Sequence, residues 1–348
     1  MSERELQRLK DRLADLSPSN RGYQPASHAP DRGREGDRGR EAGKPTQIPP
    51  VGWKDILVRA WGEVSNENLF LVAGGVTYAI LLALFPGLAA LVSIYGLVLD
   101  PSQIEKQVAS LSGILPEQAQ QMLSDQLHAL VSASTGALGF SAIFALLLAL
   151  WSASRGMSGL ITALNIAYEE PEKRGFFKLN LVAIGLTIGL TIAGIFVVAL
   201  VGVLPAAVQV LPLGAMNKWL LLILEWPMLI GFFVAGLAVL YRYAPARDEP
   251  QWKWVSPGAG AAMTLWIIAS IGFTVYVAHF NSYNKTYGSL GGVIILLTWL
   301  YISSFVVLFG AAINAQSEKQ TRKDSTVGHP EAMGRRGARA ADTLGEAH

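Results

Sequence analysis

Three observations predict an all-α, polytopic membrane protein with six transmembrane helices and both termini in the cytoplasm. First, hydrophobic residues make up 51% of the 348-residue chain and charged ones only 16%, against roughly 25% charged in soluble domains. Second, six apolar segments, at approximately 69–99, 138–160, 180–204, 217–240, 255–279 and 289–313, each reach the ~20 residues a helix needs to cross ~30 Å of hydrocarbon. Third, the positive charge alternates. The stretch before the first span holds 12 Lys and Arg, and the stretches that follow hold one, four, one, three, one and six. Because Lys and Arg accumulate in cytoplasmic loops, this places both ends inside and the 279–288 turn outside.

In chain order, residues 1–50 are expected to form a disordered cytoplasmic tail containing one short amphipathic helix. Ser2 and Glu5 have capping-box spacing, and Leu6, Leu9, Leu13 and Leu16 repeat with a helical period. The Asp-Arg-Gly-Arg-Glu run that follows, 31–41, is apolar-poor and nearly balanced in charge, so it reads as a solvated polyampholyte. From Trp53 to Val64 an apolar stripe (Trp53, Ile56, Leu57, Ala60, Trp61, Val64) predicts an interfacial helix, with Lys54, Asp55, Arg59 and Glu63 off the stripe. The span from residue 69 is expected to act as the signal anchor.

The loop 100–137 is expected to form two amphipathic outer helices, starting near Pro101 and Pro116. Pro86 in span one and Pro227 in span four break the backbone ladder, so those kinks are expected to face the interior. Gly185-x-x-x-Gly189 and Gly231-x-x-x-Ala235 are expected packing faces. The transmembrane domain is bounded at 51–316, and 317–348 reads as a second disordered cytoplasmic tail.

Several chemistries fall away. With no cysteine there is no disulfide, thiolate nucleophile or Cys-ligated zinc, and the five histidines show no ligand-pair spacing. No metal or other cofactor is therefore expected, and no catalytic residue is assigned. A net charge of +2 gives no reason to expect a nucleic-acid partner. The expected partners are membrane lipids and an unknown small-molecule or lipid substrate, with homo-oligomerisation left open.

Polar residues in or beside spans are the candidates for a polar pathway or for helix packing. Arg155 lies about 25 Å along a helix starting near Leu138, and Glu225 roughly 12 Å into span four, at 1.5 Å per residue. Arg155 either snorkels or lines an inner vestibule. Glu225 is too short to snorkel and must be protonated, paired or wet. Ser270 sits within span five. Asn165 and Asn314 close their helices, where amides cap carbonyls or link helices. In the outer turn Asn281, Tyr283, Asn284 and Tyr287 offer hydrogen bonds and stacking, and a tight turn with tyrosines at the interface is the reading slightly preferred.

Tyr78 through Phe85-Pro86, Leu150 to Gly156, Leu164 to Glu170, Tyr241 to Pro245, Ser256-Pro257-Gly258, Ser282 to Gly291 and Gly310 to Asn314 together resemble the YihY / virulence factor BrkB family over about residues 55–316. The resemblance implies a six-helix, multi-pass bacterial inner-membrane protein. Some members carry a transporter label and some the name ribonuclease BN. Two positions depart from the family pattern: Ala312 stands where a glutamate is usual, and Glu225 where a basic or neutral residue precedes Trp-Pro.

Three classes of function bear on these residues. A ribonuclease needs a metal cluster or an acid/base set beside a basic groove, and the charged 169–174 segment looks like an interhelical loop. Kinked helices, intramembrane polar groups and a polar outer hairpin fit a passive or ion-coupled transporter, and no Walker motif provides for ATP. A non-transporting scaffold for envelope integrity would use the same packing elements.

Overall fold

The computed structural model describes residues 38–98, 138–203, 215–279 and 289–348. Among them every regular element is helical, save one isolated bridge between Pro250 and Thr326. The long helices are α1 (Pro50–Asn66), α2 (Leu69–Val98), α3 (Leu138–Ala167), α4 (Phe176–Val198), α5 (Ala215–Tyr243), α6 (Trp252–His279) and α7 (Ser289–Glu318). A π turn, Ala199–Val203, extends α4, a 3-10 turn, Pro45–Gln47, precedes α1, and a short α8, Arg339–Asp342, lies in the tail.

Helices α2 to α7 fall on the six apolar segments. Among the described residues four stretches are by themselves long and apolar enough to cross a membrane: Phe176–Val201, Leu224–Tyr243, Trp252–Val277 and Gly292–Glu318. A fifth is the bent pair of α1 with the first part of α2, at 68°. The fold class is thus all-α with four to five candidate spans.

Local chemistry sets the boundaries. Pro50 stands in the first turn of α1, where its missing N–H costs no helical bond. The bend into α2 is made at Asn68, whose φ of 50° is left-handed and more accessible to Asn than to most residues. The Asn68 carbonyl then accepts the N–H groups of Leu71 and Val72 at 2.8 and 3.0 Å, starting α2. Glu169, φ 56°, ends α3 in the same way, and the Glu170 N–H turns back to the Asn165 carbonyl at 2.8 Å.

Two seams bring backbones close together. At the α2–α3 seam a Cβ added to Gly156 would stand 2.5 Å from the Ala83 Cβ and 3.1 Å from the Ala79 carbonyl oxygen. At the α6–α7 seam a Cβ on Gly258 would collide with the Gly310 carbonyl and the Asn314 amide, and one on Gly310 would meet the Tyr241 hydroxyl. Helix α2 is tied to α7 by the stacked Phe70 and Phe305 rings, centroids 4.6 Å apart. The Trp266 Nε1 donates to Ser303 Oγ at 2.9 Å across α6–α7. Outward faces carry the lipid surface, with Leu71, Phe177 and Leu181 at least 71% exposed.

The structure corrects several expectations. Gly185, Gly189 and Gly231 meet nothing within 4 Å, so close packing runs through Gly156, Gly159, Gly258 and Gly310 instead. Pro86 is half-buried but Pro227 faces outward. Asp55 and Arg59 are buried rather than lying on a solvated face of α1.

The largest correction concerns the tails. Residues 317–348, expected to be disordered, fold back with 38–50 into a cap over one end of the bundle. Arginine explains how an apolar-poor segment is held. Arg336 donates to the carbonyls of Arg322, Lys323, Glu331 and Ala341 at 2.7, 3.3, 3.0 and 2.8 Å, while Ala338, Ala340 and Ala341 are buried. Charge-assisted bonds to backbone carbonyls replace the apolar area whose scarcity predicts disorder. The expected helix and disorder in 1–37, the outer helices of 100–137 and the 280–288 turn lie outside the described residues.

The glycine seams give the first test. Gly258→Val is expected to lower stability by about 1–3 kcal/mol through overpacking. Gly185→Ala, at an open position, should leave the unfolding midpoint in detergent unchanged.

Candidate functional site

The densest convergence of polar side chains lies where α3, α5, α6 and α7 meet the cap. Its first part lies beside Pro257 of α6, whose missing N–H frees the Lys253 carbonyl, which takes the Ser256 hydroxyl at 3.1 Å. Two backbone groups flanking Pro257 are met by one side chain. The Asn314 Oδ1 accepts the Gly258 N–H at 2.7 Å, and its Nδ2 donates to the Val255 carbonyl at 3.0 Å. One helix away the Tyr241 hydroxyl donates to the Val307 carbonyl at 2.7 Å, joining α5 to α7.

Asn165 does the same work for the loops. Its Oδ1 accepts the Ala246 N–H at 2.7 Å and its Nδ2 donates to Glu172 at 2.9 Å. Glu172 also takes the Arg174 guanidinium, at 2.8 Å from both Nε and Nη2, and the Arg174 backbone N–H at 2.9 Å. These bonds, that to the Arg174 side chain first, hold the Glu172 carboxyl down at about 2.

Beside them lies a buried ion pair. Arg247 Nη2 stands 2.6 Å from Glu318 Oε1, with neither side chain exposed to solvent, and Ser325 Oγ donates to the other Glu318 oxygen at 2.7 Å. The Arg247 guanidinium lies 4.6 Å from the centre of the Tyr168 ring. Burial opposes the Arg247 charge, but Glu318 outweighs it and holds the pKa above the ordinary value. Lys319 and Arg339 both pair with Glu169. On α1, Arg59 donates to Gln316, Gln320 and the Glu346 carbonyl, and Asp55 pairs with Arg38 at 2.7 Å. With its charges paired in this way, the arrangement is chemically a seal and a set of cross-links.

The other sequence candidates sit elsewhere. Arg155, about 18 Å before the end of α3 at 1.5 Å per residue, is exposed, its guanidinium 4.8 Å from the Trp151 ring centre. Glu225 is only 9% exposed, although Leu224, Trp226 and Met228 on either side of it are 53%, 69% and 46% exposed. Ser270 is half-buried, its carbonyl accepting the Thr274 hydroxyl at 2.8 Å. Among the described residues no hydrogen bond or ion pair joins these three. The structure therefore brings Asn165 and Asn314 to the same corner and leaves Arg155, Glu225 and Ser270 apart. Asn281, Tyr283, Asn284 and Tyr287 lie outside the described residues. Among the described residues no group of three His, Cys, Asp or Glu could hold a metal ion.

A bundle of long apolar helices, sealed at one end by paired charges and backbone-bound amides, defines a multi-pass integral membrane protein. The profile of the virulence factor BrkB family matches residues 60–334, and the chain belongs to that family. Its relatives include a ribonuclease-like protein of Bacillus subtilis, YfkH, 31% identical over 250 residues, 70% of this chain and 88% of that one. A UPF0761 membrane protein of Vibrio parahaemolyticus is 28% identical over 279 residues, 77% of this chain and 82% of that one. One from Tolumonas auensis is 40% identical over 82 residues, 24% and 27% of the two chains. No solved structure matches the chain.

Two tests address the seal. Glu318→Gln should cost about 3–5 kcal/mol by leaving Arg247 buried and unpaired, whereas the Arg247→Met/Glu318→Leu double variant should recover most of that loss. Equilibrium unfolding in detergent checks both. Because the folded pKa of Glu172 is below its ordinary 4.5, its stabilising contribution is complete above pH 4.5 and is lost as pH falls towards 2. Wild type should therefore lose more stability than Glu172→Gln across that window.

Proposed function

We propose that the protein is a passive or ion-coupled transporter of an unknown solute or lipid, with six spans and both termini on the cytoplasmic side of a bacterial inner membrane. The observation that carries this reading is Glu225. It is the single acid within the apolar run of α5, turned inward while its neighbours face out. A buried carboxyl at that depth needs a partner, a proton or water. In a transporter it supplies a group that binds a cation or passes a proton.

Pro86, half-buried inside α2, supports the reading, because it frees a backbone carbonyl that a substrate or water can use. The alternation of Lys and Arg supports the six-span, N-in and C-in topology. The paired seal at the base would then be the closed end of the pathway. The ribonuclease-like name of YfkH is not carried over, since Glu169, Glu172 and Glu318 beside the cap are each engaged by an arginine or lysine.

The native lack of cysteine makes a clean test. Single cysteines at Arg155, Glu225, Ser270, Tyr283 and Asn314 are probed with a membrane-impermeant thiol reagent in intact cells and inverted vesicles. Tyr283→Cys should label only from outside and Asn314→Cys, at a fully buried position, from neither side. Labelling of Glu225→Cys or Ser270→Cys is expected for a translocation pathway. If both stay dark from either side while loop positions react, the scaffold reading takes its place. Labelling of Tyr283→Cys from inside only would overturn the topology.

A further inference from the structure

A cavity of about 400 Å³ opens where the cap meets the first turn of α6, within the ~300–1,000 Å³ range of small-ligand sites. Its charged lining comes from Lys253 on α6 and from Lys323, Asp324, Glu331 and Arg336 in the tail, with Gly43 on the N-terminal side.

Two of these charges are already spent. Arg336 is committed to four backbone carbonyls. Asp324 accepts the Thr326 N–H and hydroxyl at 2.9 and 2.7 Å and the Glu331 N–H at 2.8 Å. Burial pushes the Asp324 pKa up, but those N–H donors outweigh it and hold the group below the usual range, as an anion whose lone pairs are already engaged. What remains is Lys253, Lys323 and Glu331, all exposed. Neither lysine ammonium has an ion-pair partner among the described residues. Lys323 lies against Gly43, where an added Cβ would come 4.0 Å from its Nζ, so the N-terminal segment forms the wall behind it.

The position fixes what reaches the cavity. Lys253 directly precedes the apolar run of α6, and its neighbour Trp252 is half exposed, 4.6 Å from the Arg242 guanidinium. Tryptophan beside a cation at the end of an apolar helix marks headgroup depth. We propose that this cavity is a binding site for a phosphate group, that of an anionic phospholipid in the leaflet on the side of the cap, held between Lys253 and Lys323. Such a lipid would bridge α6 to the tail. The site does not depend on whether the protein transports anything.

The test uses the full chain in detergent, titrated with phosphatidylglycerol or phosphatidylcholine and read by native mass spectrometry. Wild type should retain phosphatidylglycerol in preference to phosphatidylcholine. Lys253→Gln and Lys323→Gln should each weaken it about fivefold, the equivalent of about 1 kcal/mol per surface charge. Glu331→Gln should strengthen it, and Lys178→Gln, on α4 away from the cavity, should leave it within twofold. Helical content by circular dichroism confirms that each variant is folded.

A further arm adds inorganic phosphate to wild type. No displacement at millimolar concentration supports the lipid as the source. Displacement that is lost in the two lysine variants moves the same site to a soluble phosphate ligand and overturns the lipid assignment. Equal binding of the two lipids by wild type, or a Lys178→Gln effect as large as that of Lys253→Gln, overturns the site.

Discussion

The base of this molecule depends on one carboxamide that bridges the backbones of two helices. Asn314 on α7 takes a donor and an acceptor from the backbone of α6 at once, the Gly258 N–H and the Val255 carbonyl. An amide side chain is short, so the helices must nearly touch, and that contact is what Gly258 and Gly310 permit. Once α6 and α7 are clamped, the Tyr241 hydroxyl reaches the backbone of α7 and fixes α5. The α5–α6 corner that results presents the Ala246 N–H to Asn165 and so fixes the end of α3. A chain of backbone obligations, each met by a single polar side chain, therefore sets the spacing of four helices.

The cap obeys another rule. It buries arginines and glutamines against carbonyls rather than hydrocarbon against hydrocarbon. Arg59 alone reaches two side-chain oxygens and two backbone carbonyls. A guanidinium carries five donors in a rigid fork, so a few of them can order a segment with little apolar area. The Arg247 and Glu318 pair extends the same logic into a fully buried position, where the desolvation it entails is offset by Coulombic attraction, the Ser325 hydroxyl and the Tyr168 ring.

Much of this was legible in the sequence and some was not, for physical reasons. The helices α2 to α7 were readable because a bilayer demands long apolar runs, and the ends of those runs fall within a few residues of the helix ends. Asn165 and Asn314 were readable as helix-ending amides, because such groups have few other uses in an apolar helix. The cap was not readable, since apolar content carries the usual signal for order and here the order comes from Arg336, Arg40 and Arg59 bonding to distant carbonyls. The signal that existed was the spacing of Asp55 and Arg59, one turn apart on α1, and the Glu169-Glu170 and Tyr241 to Pro245 motifs, which turn out to line the same corner. Glycine spacing misled, because Gly185 and Gly189 have the right separation but no helix opposite them.

The cap also imposes an order in time. The Arg38 and Arg40 carbonyls are bonded to Gln320 and Arg322, and Arg59 to Glu346, across sequence separations of 282 and 287 residues for the first and last of these. Contacts so far apart close late. Residues 316–346 follow the six apolar segments in the chain, so Arg59 waits for its partners while those helices form.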